Sequence, residues 1–128
     1  MIDLDGFKPI NDIHGHEAGD VVLCEIARRL HASVRDVDFV ARFGGDEFIC
    51  VLESIVSIEV AAKVGNNILE GIGQFITLPN GVDVRLGASI GIAFYNDEVR
   101  NADDLKAAAD RAMYEAKSAG KNCCRFAV

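Results

Sequence analysis

Phe39-Val40-Ala41-Arg42-Phe43-Gly44-Gly45-Asp46-Glu47-Phe48-Ile49-Cys50-Val51-Leu52 is the stretch from which the fold can be read. Phe39 to Phe43 and Glu47 to Leu52 are apolar runs rich in aromatic and β-branched residues, and Gly44-Gly45-Asp46 separates them. Paired glycines between such runs predict a β-hairpin, because the tight turn demands positive φ, which glycine adopts at little steric cost. The hairpin commits this part of the chain to antiparallel pairing and places two acids, Asp46 and Glu47, at its tip.

Upstream, Met1 to Leu4 reads as the end of a buried strand. Phe7-Lys8-Pro9 then opens a short helix towards His14, with Pro9 suited to a first turn. A second helix is expected from about Gly19 to Val34, since Leu23, Ile26, Ala27, Leu30 and Val34 recur at helical spacing while Glu25, Arg28 and Arg29 face away. Downstream, Ser57 caps a third helix striped by Ala61, Val64, Ile68 and Ile72. Phe75 to Leu78 and Val82 to Phe94 predict a further strand pair around Pro79-Asn80-Gly81. A last helix from about Asp103 to Ala119 turns Leu105, Ala108, Ala109, Ala112, Met113 and Ala116 inward; Gly120 ends it, and Asn122 to Ala127 returns as a strand. The order predicts an α+β domain, a central and mostly antiparallel β-sheet flanked by helices.

The 128 residues fit one domain, and half of them are hydrophobic, so a core can form without disulfides. The net charge of −7, with no basic stripe, argues against nucleic acid as a partner. No apolar run approaches the roughly 20 residues that span a bilayer, so no direct membrane insertion is expected. No signal peptide is visible, and the expected compartment is the cytoplasm, although a larger parent protein could be membrane-tethered. Cys24, Cys50, Cys123 and Cys124 form no Cys-x-x-Cys pair; they read as reduced thiols, with Cys24 and Cys50 in the core.

Asp3, Asp5, Asp46 and Glu47 all fall at expected strand ends or turns. Spacing alone leaves two readings open. The acids are either solvated turn and cap residues, or they converge and need a divalent cation, for which hard oxygen ligands favour magnesium. His14-Gly15-His16 lacks the further ligands a zinc site requires. Asn11 and Asp20 could be a helix cap and a first-turn charge. Arg35 and Asp38, three apart, could form a local ion pair worth roughly a few tenths of a kcal/mol.

Arg42-Phe43-Gly44-Gly45-Asp46-Glu47-Phe48 resembles the signature of the diguanylate cyclase (GGDEF) family. Other blocks resemble it too: Asp3-Leu4-Asp5-Gly6-Phe7-Lys8-Pro9-Ile10-Asn11-Asp12, Gly15-His16-Glu17-Ala18-Gly19-Asp20, Ala88-Ser89-Ile90-Gly91-Ile92-Ala93, and Ala109-Asp110-Arg111-Ala112-Met113-Tyr114-Glu115-Ala116-Lys117 with Gly120-Lys121-Asn122. The resemblance implies a nucleotide-cyclase, ferredoxin-like fold over residues 1–128. It also implies an enzyme that, as a homodimer, condenses two GTP molecules into cyclic di-GMP with release of two pyrophosphates.

The cofactor implied is Mg2+, held by Asp3, Asp46 and the backbone carbonyl of Leu4. Asp46 is the implied base for the ribose 3′-hydroxyl, Glu47 assists, and Gly44 and Gly45 let the backbone approach the nucleotide. Asn11 and Asp20 match the guanine-binding pair, with His16 between them. Lys8, Lys117 and Lys121 match the basic positions around the triphosphate, Lys121 departing from the commoner arginine. Arg35 and Asp38 match the product-inhibition site, where arginine can grip guanine or phosphate. Family domains usually begin further upstream with a helix and turn, which this chain is expected to lack. The rival reading is a non-catalytic module that binds GTP or cyclic di-GMP.

Overall fold

The computed structural model describes residues 1–127. Its elements in chain order are β1 Ile2–Asp5, α1 Phe7–His14, α2 His16–Ser33, β2 Phe39–Gly44, β3 Glu47–Val51, α3 Ile58–Ile72, β4 Ile76–Thr77, β5 Asp83–Val84, β6 Gly87–Ile92, α4 Ala102–Ser118 and β7 Cys123–Phe126. Five strands form one sheet in the order β2-β3-β1-β6-β7. β1 runs antiparallel to both β3 and β6, and β2 antiparallel to β3. Only β6 and β7 are parallel, because α4 carries the chain back across the sheet between them. The domain is therefore α+β with a mostly antiparallel sheet, as expected from the sequence.

β1 lies at the centre of the sheet. Its alternation sends Ile2 and Leu4 into the main core, where they join Phe48, Ala88 and Ile90 against Val22, Ile26 and Leu30 of α2 and Ile68 and Ile72 of α3. Asp3 and Asp5 consequently share the opposite face, the one that α4 covers. There Met1, Ala109 and Met113 make a second, smaller cluster with Ile49 and Ala93. α4 can approach β6 this closely only because position 91 is glycine. A Cβ on Gly91 would stand 2.0 Å from the Ala109 carbonyl oxygen and 2.3 Å from Met113 N.

Several expectations need correction. α2 begins at His16 rather than Gly19, because Gly15, at φ 92° and ψ 169°, breaks the chain between α1 and α2 and leaves the next residues free to be helical. The long strand expected over 82–94 is two strands, β5 and β6; β5 pairs only with β4, in a separate two-stranded sheet. Cys24 is exposed and Cys50 only half-buried, since the buried stripe of α2 runs through Ala18, Gly19, Val22, Leu23, Ile26 and Leu30 and passes Cys24 by. Arg29 does not face away from the protein: its side chain is 12% exposed and clasps the end of α3. Asn11 is no helix cap but lies inside α1, and Asp20 lies beyond the first turn of α2. Among the described residues, no helix is long and apolar enough to cross a membrane.

Candidate active site

The hairpin tip is tighter than its two glycines suggest. Arg42 pairs with Phe48 and Gly44 with Glu47, so Phe43 is an extra residue that bulges from β2. Gly45 alone takes the left-handed conformation, at φ 47°. The tip is tied to the end of β1, where Leu4 N donates to the Asp46 carbonyl at 3.1 Å. Asp3 faces Glu47 directly across the ladder, and opposed residues of an antiparallel pair project on the same side. Pairing thus brings Asp3, Leu4, Asp46 and Glu47 together from positions more than forty residues apart.

The electrostatics of this cluster follow from its burial. Asp3 is 6% exposed, and the Lys117 ammonium, reaching down from the last turn of α4, forms an ion pair with it. That hydrogen bond to Asp3 holds the Lys117 ammonium above its ordinary proton affinity. Burial pushes the Asp46 carboxyl above the usual carboxylate range, and the charge of Asp3 pushes it further in the same direction. Two mutually repelling carboxylates with a lysine at their edge form a site that a cation relieves. Magnesium fits the donors present. It is commonly held by one or two carboxylates, with water and phosphate oxygens filling its octahedron, and needs no dedicated protein cage. Among the described residues no such cage of three or more acidic, His or Cys side chains exists.

Asp5, the next residue on the same face, received no role from the sequence beyond its place among the acids. It accepts from the hydroxyl of fully buried Ser89, at 2.9 and 3.1 Å, and from Asn122 N at 2.9 Å. One carboxylate thereby ties β1 to β6 and to the turn after α4, where Lys121 and Asn122 both have positive φ. The turn carries Lys121 to the rim of a groove of about 650 Å³ that Asp5, Arg85 and Asn122 also line. The only sequence signal for this clamp was the Asp3-x-Asp5 alternation. Among the described residues Lys8, exposed on α1, and Lys121 enter no ion pair, so both present open charge, but neither is joined by contact to Asp3 or Asp46.

Of the guanine-site candidates, the α1–α2 packing brings Asn11 and His16 into contact. Asn11 Nδ2 lies 3.1 Å from His16 Nδ1, and its Oδ1 rests over Gly19, the residue before Asp20 in the chain. Asp20 itself is exposed, at the head of a groove of about 610 Å³ between α2 and Phe75–Thr77.

Arg35 and Asp38 stand at the other end of the hairpin from Asp46, across the length of β2, about 20 Å at roughly 3.3 Å per residue. Both Asp38 oxygens are engaged, by Arg35 N (2.8 Å), Nε (3.1 Å) and Nη2 (3.0 Å) and by Glu53 N (3.0 Å). Asp38 is therefore buried and pinned, its carboxyl held down to about 2 by the hydrogen bonds from Arg35, while the Arg35 side chain stays half exposed.

The diguanylate cyclase GGDEF domain, as a family model, matches residues 1–123. The chain belongs to this family. The GGDEF domain of TpbB from Pseudomonas aeruginosa superposes with a TM-score of 0.95 at 41% identity, covering 99% of this chain and 79% of that one. Diguanylate cyclase A of Treponema denticola is 38% identical over 95% of this chain but only 33% of its own length. The bifunctional diguanylate cyclase/cyclic di-GMP phosphodiesterase MucR of P. aeruginosa is 42% identical over 95% of this chain and 18% of its own. The chain thus spans a third or less of the length of these curated relatives. A GGDEF domain of DgcB from Caulobacter crescentus, solved in complex with cyclic di-GMP, has a TM-score of 0.91 at 26% identity over 98% of this chain.

Proposed function

We propose that this GGDEF domain is a diguanylate cyclase that joins two GTP molecules into cyclic di-GMP, each protomer of a homodimer holding one GTP. The observation that carries the reading is the meeting of Asp3 and Asp46 at the hairpin tip beside Lys117. Burial and Asp3 make Asp46 a better proton acceptor than an exposed aspartate, as suits a group that takes the proton from a ribose 3′-hydroxyl. The freed oxygen attacks the α-phosphorus of the other GTP, pyrophosphate leaves, and the same step in the opposite sense closes the ring.

Asp3, Asp46 and the Leu4 carbonyl are the groups that would hold magnesium, which when bound neutralises the triphosphate and the charge developing on it. Glu47 adds negative charge beside Asp3. Gly44 and Gly45 keep the hairpin tip free of side chains where nucleotide must come close. Lys117, Lys8 and Lys121 supply charge for the phosphate oxygens, Asn11 and Asp20 read guanine, and His16 stands beside Asn11. Arg35 offers its exposed guanidinium to product, with Asp38 fixing it. GTP as substrate places the reaction in the cytoplasm.

Incubation of the native chain and of Asp46→Asn with GTP and magnesium tests the reading. Cyclic di-GMP should form with the native chain and fall by at least about a hundredfold in the variant, the scale of lost base catalysis. Equal turnover would remove Asp46 from the chemistry.

A further inference from the structure

α4 ends in a Schellman motif, in which Lys121 N donates to Ala116 O at 3.0 Å and Gly120 N to Lys117 O at 3.3 Å. That cap needs one left-handed residue, and Gly120, at φ 112°, supplies it. The next two residues stay left-handed without being glycine, Lys121 at φ 65° and Asn122 at φ 47°. A lysine gains nothing locally from that conformation, which costs on the order of 1–2 kcal/mol. The partners that hold it lie on the sheet. Asn122 N donates to Asp5 Oδ2 at 2.9 Å, and the Asn122 side chain lies over Gly87, the residue opposite Asp5 in the ladder. A Cβ on Gly87 would stand 2.8 Å from Asn122 Oδ1. Asp5 is in turn fixed by the hydroxyl of Ser89, which is fully buried. The end of α4 is thus docked twice on one face of β1, by Lys117 on Asp3 and, two residues along, by Asn122 on Asp5.

We infer that Asp5 is a positioning residue, which acts through the Gly120–Asn122 turn to set Lys121 where it meets the phosphates of GTP. The role rests on the reading in which Lys121 serves the triphosphate. A carboxylate on the same face as Asp3 could instead act by its charge, as one more ligand for a cation. Its oxygens, however, are already committed to the Ser89 hydroxyl and Asn122 N. The two roles differ in sign. Removing a negative charge beside a polyanion should by itself tighten triphosphate binding. A positioning role predicts weaker binding, because the turn loses what keeps Lys121 left-handed.

The test compares binding of the α,β-methylene analogue of GTP, which cannot release pyrophosphate, with binding of GMP, by calorimetry in magnesium with the 128-residue chain. The native chain should prefer the triphosphate, and Lys121→Ala should lower that preference. Asp5→Ala should lower it about tenfold, the scale of one lost charge-assisted hydrogen bond. Asp5→Asn, whose oxygen still accepts from Asn122 N, should hold it within about threefold. In a Lys121→Ala background Asp5→Ala should lower the preference no further, because its route of action is gone. A general loss of stability would weaken both ligands alike and leave their ratio unmoved. Gly87→Ala, which pushes the Asn122 side chain from its seat and keeps the carboxylate, should also lower the preference and serves if Asp5→Ala does not fold.

An unchanged preference in Asp5→Ala and Gly87→Ala overturns the inference. So does an Asp5→Asn chain as impaired as Asp5→Ala, which would assign Asp5 to the cation through its charge. A further loss from Asp5→Ala in the Lys121→Ala background overturns it as well. If Lys121→Ala itself leaves the preference intact, the reading of Lys121 as a phosphate ligand falls and takes the positioning role with it, so the two failures are told apart.

Discussion

Burial and the neighbouring Asp3 both raise the proton affinity of Asp46, so at neutral pH the folded chain carries this carboxylate where a neutral group would sit more comfortably. Asparagine has the same shape without the charge. Asp46→Asn, expected to stop cyclic di-GMP formation, should therefore melt modestly higher than the native chain when divalent cations are chelated. The sign follows from a folded-state pKa above the unfolded one. The penalty is full above the folded value and vanishes as pH falls below the unfolded value of about 3.9. Melting curves from pH 8 to pH 4 should show the gain of the variant fading with acid. A variant that melts lower throughout would mean that the carboxylate stabilises the tip. At the far end of the hairpin Arg35 is bound to Asp38 yet half exposed. Arg35→Ala should weaken cyclic di-GMP binding at least about tenfold if its guanidinium grips product, as lost charge-assisted hydrogen bonds would. Equal titration curves would leave Arg35 as a local ion-pair partner only.

At the scale of elements, two contacts hold the layers in register. Arg29 of α2 donates to the carbonyls of Gly71 (3.0 Å), Gln74 (2.9 Å) and Phe75 (2.8 Å), capping the C-terminus of α3 and the turn that follows. Arg29→Ala should cost about 1–2 kcal/mol in urea unfolding, because it removes a charged donor from three carbonyls, of which the bond to Gly71 is part-buried. Arg29→Lys should recover little, since a point ammonium cannot reproduce the planar fork. On the other face, Gly91 of β6 meets the backbone of α4. Both atoms that a Cβ would strike there, Ala109 O and Met113 N, are main-chain atoms that cannot rotate aside. Gly91→Ala should thus destabilise by more than about 3 kcal/mol, the range of severe overpacking. Loss of soluble, cooperatively folding protein would be the extreme form of that result, and a melt unchanged from native would contradict the close approach.

For the whole molecule the net charge of −7 sets acid sensitivity less than a few engaged carboxylates do. Asp38 and Glu25 are both held down to about 2, each chiefly by arginine hydrogen bonds, from Arg35 and Arg28 respectively. Their folded values lie below the unfolded ones, so the stability they lend is complete above about pH 4 and is lost as pH falls through about 2. Glu25 is on the surface and contributes little. Asp38 is buried and closes the base of the hairpin whose tip carries Asp46 and Glu47. Asp38→Asn should lower stability at pH 7, with the deficit shrinking between pH 4 and pH 2. A deficit independent of pH would assign the effect to packing.

Local pattern determined most of the elements of this chain. The hairpin, the stripes of α2, α3 and α4 and the strand after Gly120 follow from periods and turn residues, which depend on near neighbours only. The ordered blocks from Asp3 to Asn122 also determined the family. Tertiary structure decided what lies together. β4 and β5 left the main sheet because pairing partners are chosen in space, and no local period marks the break between Val84 and Gly87. Arg29 looked like a solvent-facing residue from its helical phase, but long side chains reach sideways, and its partners lie more than forty residues away. The engagement of Asp5 with Ser89 and Asn122, the ion pair of Asp3 with Lys117, and the contact of Asn11 with His16 likewise depend on how strands and helices dock. Composition and spacing state which groups exist; only the packed sheet fixes the few ångströms between them on which their chemistry depends.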